Sequence, residues 1–289
     1  MIRYKPKDWF LIIFKFHKAD TFRKLLPLIL ALCVYSWFIT WLEAELWKLS
    51  DTSHVKNLSL IHTSLGMVIS LLLVFRTNTA YERWWEGRKV WGGLVNSSRN
   101  LALKLRALVP EEAAYYSVMI PNFAFALKNH LRRVHLEEEL EPAAGFSLAD
   151  PGAVHLPNKI VSQLMQYTLT LERTGKLKPE HLLFLQQELS NFSEATGACE
   201  RIRNTPIPYS YSVFLKKFMF LYVMTLPFGF VFSLGYYTIP VVAIIFYVLA
   251  SLELIAEEIE DPFGADANDL PTDAIAAGIR LSVKEILRG

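Results

Sequence analysis

Ser64-Leu65-Gly66-Met67-Val68-Ile69-Ser70-Leu71-Leu72-Leu73-Val74-Phe75-Arg76-Thr77-Asn78-Thr79-Ala80-Tyr81-Glu82-Arg83-Trp84-Trp85-Glu86 is an apolar run that turns charged and aromatic without a glycine-proline break. A helix of about 20 apolar residues spans a bilayer, and the stretch 58–75 falls within that range. At helical spacing, one stripe carries Thr63, Met67, Leu71, Phe75, Thr79 and Arg83. It is polar at each end and apolar for two turns between. Such a stripe, on a helix passing from lipid to water, suits the lining of a gated pore. The commoner use of Met67, Leu71 and Phe75 is to face lipid or neighbouring helices, and the pattern alone leaves both open. An apolar ring stops ions by dewetting and passes them when it widens. Gly66 and Ser70 lie on an adjacent face, where small residues permit close helix packing.

Working outward, the composition agrees with a chain partly in the membrane. Hydrophobic residues make up 52% of 289 residues, and the net charge is only +2. Near-balanced charge gives no basic surface for nucleic acid. Two cysteines, Cys33 in an apolar run and Cys199 in a polar helix, give no disulfide framework. The N-terminal apolar patch is interrupted by Lys15 and followed by no small-residue cleavage site, so it does not read as a signal peptide. Four spans are expected: residues 25–47, 58–75, 218–236 and 238–255, the last two as a tight hairpin. Arg3, Lys5, Lys7, Lys15, Lys18, Arg23 and Lys24 precede the first span. Arg76, Arg83, Arg88, Lys89 and Arg99 follow the second, and Lys216 and Lys217 precede the third. Only Lys48 and Lys56 lie between the first two spans. The positive-inside rule then puts both termini and the long central segment in the cytoplasm.

That central segment reads as helical. Trp91, Leu94, Leu101, Leu105 and Leu108 recur at helical spacing until Pro110 stops the run. A second helix is expected over 111–136, bent at Pro121, then a surface loop over 141–157. Helices are expected over 158–173 and 179–202, with Pro179 at a helix start. A last helix opens at Pro271-Thr272-Asp273. No strand alternation and no solenoid period is visible. The expected class is an all-α membrane protein: four transmembrane helices and a large cytosolic helical body. Its expected divisions are 1–75, 76–213, 214–256 and 257–289.

Enzyme motifs are absent: there is no phosphate loop, no zinc-spaced cysteine pair and no nucleophile elbow. His130 and His135 are five apart, which does not stack them on one helical face, and they read as surface residues. Glu137-Glu138-Glu139 reads as a solvated helix end. The run from Glu257 to Asp269 offers several oxygen ligands of the kind calcium takes. Its spacing is not that of an EF-hand, and a capped helix terminus explains it equally.

Arg83-Trp84-Trp85, Pro206-Ile207-Pro208 and Asp261-Pro262-Phe263-Gly264 with its spaced acids resemble the bestrophin family. The stretch from Phe75 to Trp85 and the later Asn268-Asp269-Leu270 are similar to its prokaryotic branch. The resemblance covers residues 16–285. It implies a homopentameric channel for small monovalent ions such as chloride or sodium, in a bacterial inner membrane and among its lipids. It places the pore neck at Met67, Leu71 and Phe75, the vestibule at Thr63, Thr79 and Arg83, and a cytosolic aperture at Glu180, or one residue on at His181. The calcium clasp of animal members would correspond to Glu258, Asp261, Asp266 and Asp269, completed by a carbonyl near the N-terminus. Otherwise no cofactor is required, and the turn ties the C-terminal segment to membrane-proximal helices.

Anion conduction is the family's conventional assignment. Arg76 and Arg83 near the inner mouth would favour it, whereas five copies of Glu180 would favour cations. A secondary transporter would need ionisable residues at the midplane of broken helices, and the span centres carry none. A membrane-anchored scaffold would leave the threonine-flanked stripe unexplained.

Overall fold

A computed structural model describes residues 21–46, 58–134, 137–143 and 155–288, and every element among them is helical. The basic residues before Thr21, the stretch 47–57, His135 and most of the expected 141–157 loop lie outside the described residues. In chain order the helices are α1 (Thr21–Trp41), prolonged by a π-helical turn (Leu42–Leu46), and α2 (Leu58–Leu108). A 3-10 turn (Pro110–Glu112) leads to α3 (Ala113–Arg132), followed by α4 (Leu156–Arg173) and α5 (Pro179–Asn204). Then come α6 (Tyr209–Leu234), a 3-10 turn (Gly235–Tyr237), α7 (Thr238–Glu260) and α8 (Thr272–Arg288). Among the described residues, three helical runs are long and apolar enough to cross a membrane: Thr21–Leu46, Leu60–Leu108 and Tyr209–Glu260. The third contains α6, the 3-10 turn and α7.

Helix α2 is a single rod of 51 residues, about 76 Å long at 1.5 Å per residue. No proline interrupts it, and Gly92-Gly93 is flanked by Trp91 and Leu94, whose burial offsets the glycine cost of roughly 1 kcal/mol each. It stops where expected, because the residue before Pro110 is pushed out of the helical region: Val109 has φ −143°.

The chain divides into two compact units. One comprises the described residues up to Glu82 together with Ile207–Glu260. In it α1 packs along α7 and touches α6, and α6 doubles back on α7. Gly235 makes that reversal with φ +54°, a conformation that costs a residue with a Cβ. Leu32, Ile69, Leu73, Leu215, Leu226 and Val242 form the apolar core of this unit. Gly66 gives the expected close approach: a Cβ there would lie 2.8 Å from the Tyr222 hydroxyl oxygen. His62, nearly fully buried, lies 3.0 Å from the Thr225 hydroxyl, and the Tyr211 hydroxyl donates to the Leu72 carbonyl at 2.9 Å.

The other unit comprises Arg83–Pro206 and the chain from Asp261 onward. Helix α3 is its centre, packing against α8, α4 and α5. It runs through Pro121 but ends at Arg132, short of the expected 136. The cause is Arg133, which adopts φ 56° and closes the helix by donating its N–H to the His130 carbonyl. Trp91, Leu94, Leu101 and Leu105 are all buried, as their spacing predicts. They share a core with Phe123, Leu164, Phe192 and Ile279. Lys128 is buried beside them, its ammonium 2.6 Å from Glu139 and 3.0 Å from Asp273. Glu139 thus binds a buried cation instead of ending a helix in solvent, which corrects the reading of that residue as a solvated charge.

Candidate ion pathway

One face of α2 is packed and the other is bare. Ile69, Leu73, Arg76 and Ala80 are buried. Met67, Leu71 and Phe75 remain 74%, 56% and 58% exposed, and Thr63 and Thr79 on the same stripe are exposed as well. Only 22% of the most apolar window of this helix is buried, against 33% in the other two runs. The bare surface also takes in Leu60, Ile61, Val68 and Val74, so it is wider than the three neck positions. The exposed Thr79 donates its hydroxyl to the Phe75 carbonyl one turn back at 2.9 Å, so its oxygen retains only acceptor capacity.

The two arginines expected to set the charge of the inner mouth are both engaged. Arg76 is only 2% exposed. Its guanidinium lies 2.7 Å from Glu260 and 3.4 Å from Glu253, both on α7. Burial of a cation requires such partners, and the local charge is thereby cancelled rather than presented to an ion. This corrects the expectation that Arg76 would favour anions. Glu260 also accepts the Ile207 backbone N–H at 2.7 Å, so it fixes the chain just before α6 begins at Tyr209. Arg83 donates to the Ile202 carbonyl at 2.5 Å and to the Thr205 carbonyl, capping the last turn of α5.

At the other proposed constriction, Glu180 is exposed in the first turn of α5. Its neighbour His181 is half-buried, and its Nδ1 accepts the Lys178 backbone N–H at 3.3 Å. Of the two candidates, the carboxylate is the one facing solvent. A first-turn acid is also favoured by the helix dipole.

The acidic turn folds on itself. Asp269 Oδ2 accepts the Asp266 N–H at 2.6 Å, and the Leu270 N–H returns to the Pro262 carbonyl at 2.9 Å. Phe263 is buried, so close to Gly87 that a Cβ there would meet its ring at 3.1 Å. Trp84 Nε1 donates to the Asn268 carbonyl at 3.0 Å. Glu258 accepts from Lys24 at 2.5 Å. Among the described residues, the only trio of histidine, cysteine or acidic side chains with ligand atoms within 4.8 Å of one another is His130, His155 and Glu200. The side-chain oxygens of Asp261, Asp266 and Asp269 do not form such a trio, and the carbonyl expected near the N-terminus to complete the set lies outside the described residues.

Sequence reasoning did not find Glu253 and Glu260 as partners of Arg76, because both sit far along the chain. Nor did it find the His130 trio, whose members lie 25 to 70 positions apart. A carboxylate one or two turns from the end of an apolar span was the only available signal for Glu253.

These helices define a class: an all-helical membrane protein whose longest helix bears an exposed apolar stripe. The chain belongs to the bestrophin family, whose profile, described as Bacterial/Fungal Bestrophin protein, matches residues 1–285. A protein of Nostoc called a voltage-dependent anion channel-forming protein is 39% identical over 76% of this chain and 75% of its own length. One of the same description from Mesorhizobium japonicum is 31% identical over 98% and 91%. Among solved structures, a bacterial bestrophin homologue from Klebsiella pneumoniae superimposes with TM-score 0.81 at 28% identity, covering 92% of this chain and all of that one.

Proposed function

We propose that this chain is the subunit of a homopentameric channel conducting small monovalent ions, by convention chloride and other anions, through a neck formed by Met67, Leu71 and Phe75. Four spans with both termini in the cytoplasm of a bacterial cell complete the reading, with the inner membrane as its place. The observation that carries it is the bare stripe on α2: apolar side chains for two turns, threonines at each end, and a packed face directly behind. Five such helices around an axis would cover one another's bare flanks and turn the stripe inward, giving an apolar constriction that gates by wetting. The relatives' description as anion channel-forming proteins supports the sign of the ion. No catalytic group and no bound cofactor is needed for this activity.

A second reading has its own support. Cancellation of Arg76 by Glu253 and Glu260 and exposure of Glu180 both reduce the anion preference and favour a sodium-passing channel of the same fold. Reversal potentials of the purified protein in planar bilayers under asymmetric salt distinguish the two. A shift toward the chloride equilibrium potential supports the first reading, and one toward sodium the second. In the same assay Leu71→Ala is expected to raise the current severalfold. An absence of current in both wild type and Leu71→Ala overturns the channel.

A further inference from the structure

We propose that His130, His155 and Glu200 form a binding site for one divalent transition-metal ion, with zinc the best match. The three come from separate elements: the last turn of α3, the residue capping the start of α4, and the C-terminal half of α5. Both imidazoles direct Nε2 at the same oxygen, Glu200 Oε1, at 2.7 Å for His130 and 2.8 Å for His155. Their ring centroids are 4.4 Å apart. All three side chains are partly exposed, so an ion can reach them without opening the core.

Two imidazoles and one carboxylate are borderline donors of the set that zinc takes, with bonds of about 2.0–2.1 Å and a remaining position for water. Placing an ion between the three requires the nitrogen-to-oxygen separations to open by roughly half an ångström to reach tetrahedral geometry. The carboxylate supplies the one anionic donor of the set, as its ordinary acidity allows at neutral pH.

The proton balance is defined by the helix cap. The Asn158 N–H donates to His155 Nδ1 at 3.2 Å, which places the His155 proton on Nε2, where it is given to Glu200. An ion at Nε2 takes the place of that proton, which moves to Nδ1 and displaces the Asn158 contact, and the proton that His130 directs at Glu200 from Nε2 shifts in the same way to its own Nδ1. Metal and helix cap thus compete for one imidazole. Binding exchanges a local hydrogen bond for a cross-link between α3, α4 and α5, with no net proton release from a neutral ring.

The test uses full-length protein in detergent, stripped with a chelator and titrated with zinc against a chromophoric chelator. One zinc per chain is expected. His155→Asn removes the imidazole while keeping an N-cap acceptor, and Glu200→Gln keeps the volume. Each is expected to weaken zinc at least tenfold with an unchanged size-exclusion profile. Should either variant fail to fold, cobalt substituted into the wild type decides. Intense visible bands of four- or five-coordinate cobalt support the site, and the weak spectrum of six-coordinate aqueous cobalt overturns it. Wild-type uptake no greater than that of a folded His155→Asn/Glu200→Gln variant overturns it as well.

Discussion

Arg76 Nη2 sits 2.7 Å from Glu260 Oε2, with the arginine only 2% exposed, on a helix whose opposite face carries Leu71 and Phe75. The pair joins α2 to the end of α7. It also removes a positive charge that the sequence placed near an ion route.

Breaking that pair is expected to be costly. Arg76→Gln leaves Glu253 and Glu260 uncompensated in a buried position, and removing one partner of such a pair typically costs about 3–5 kcal/mol. Thermal unfolding in detergent measures the loss. Arg76→Met combined with Glu253→Gln and Glu260→Gln should recover most of it, since no buried charge remains. A triple variant as unstable as the single one would show that packing, not charge, accounts for the effect.

Glu180 gives a prediction on selectivity. A unit charge a few ångströms from an ion in water is worth about 1 kcal/mol or less. Glu180→Gln should therefore raise the anion-to-cation permeability ratio roughly two- to fivefold. Reversal potentials under a salt gradient read this directly, and an unchanged ratio would remove Glu180 from the aperture.

Gly87 is a packing test of the acidic turn. A Cβ at that position would lie 3.1 Å from two ring carbons of Phe263 and 3.2 Å from Leu270 Cδ1. Gly87→Ala should destabilise by about 1–3 kcal/mol, the usual cost of overpacking. Gly93→Ala on the same helix, which meets no atom within 4 Å, should be neutral or stabilising. Melting temperatures of the two variants in detergent separate them.

Acid sensitivity follows from Asp273. Hydrogen bonding from Arg132, then Lys128, against the opposing effect of burial, lowers its carboxyl to about 2 from an ordinary 3.8. A depressed folded value means that the stabilisation is complete above pH 4 and is lost as pH falls toward 2. Its side chain is 62% exposed, so solvent screening keeps the contribution below about 1 kcal/mol. Asp273→Asn should flatten that part of the stability curve, measured by denaturant unfolding between pH 2 and 5.

Much of this molecule was legible in its sequence, for a physical reason. Apolar periodicity is a local property: the spacing of Trp91, Leu94, Leu101 and Leu105 marks a buried face whatever that face meets. Pro110 and Pro179 fix helix ends through their own ring geometry. The same holds for the stripe from Thr63 to Thr79, polar at both ends and apolar between, which one helix displays by its own periodicity. The three landmark segments carried the family. The end of α3 was misjudged, because a left-handed Arg133 has no sequence signature comparable to glycine.

Charge was where local reading stopped. An arginine after an apolar run looks like a solvated cation, and only the packing of α7 against α2 turned Arg76 into half of a buried pair. His130 read as a surface residue unrelated to any site, yet the reversal after α3 and the cap of α4 bring it and His155, 25 positions on, to one oxygen of Glu200. The sequence by itself determined which segments are helices, which faces are apolar and which family they form. Tertiary structure decided which ionisable groups are cancelled and which are gathered, because Coulomb and coordination forces act across a few ångströms of space rather than along the chain.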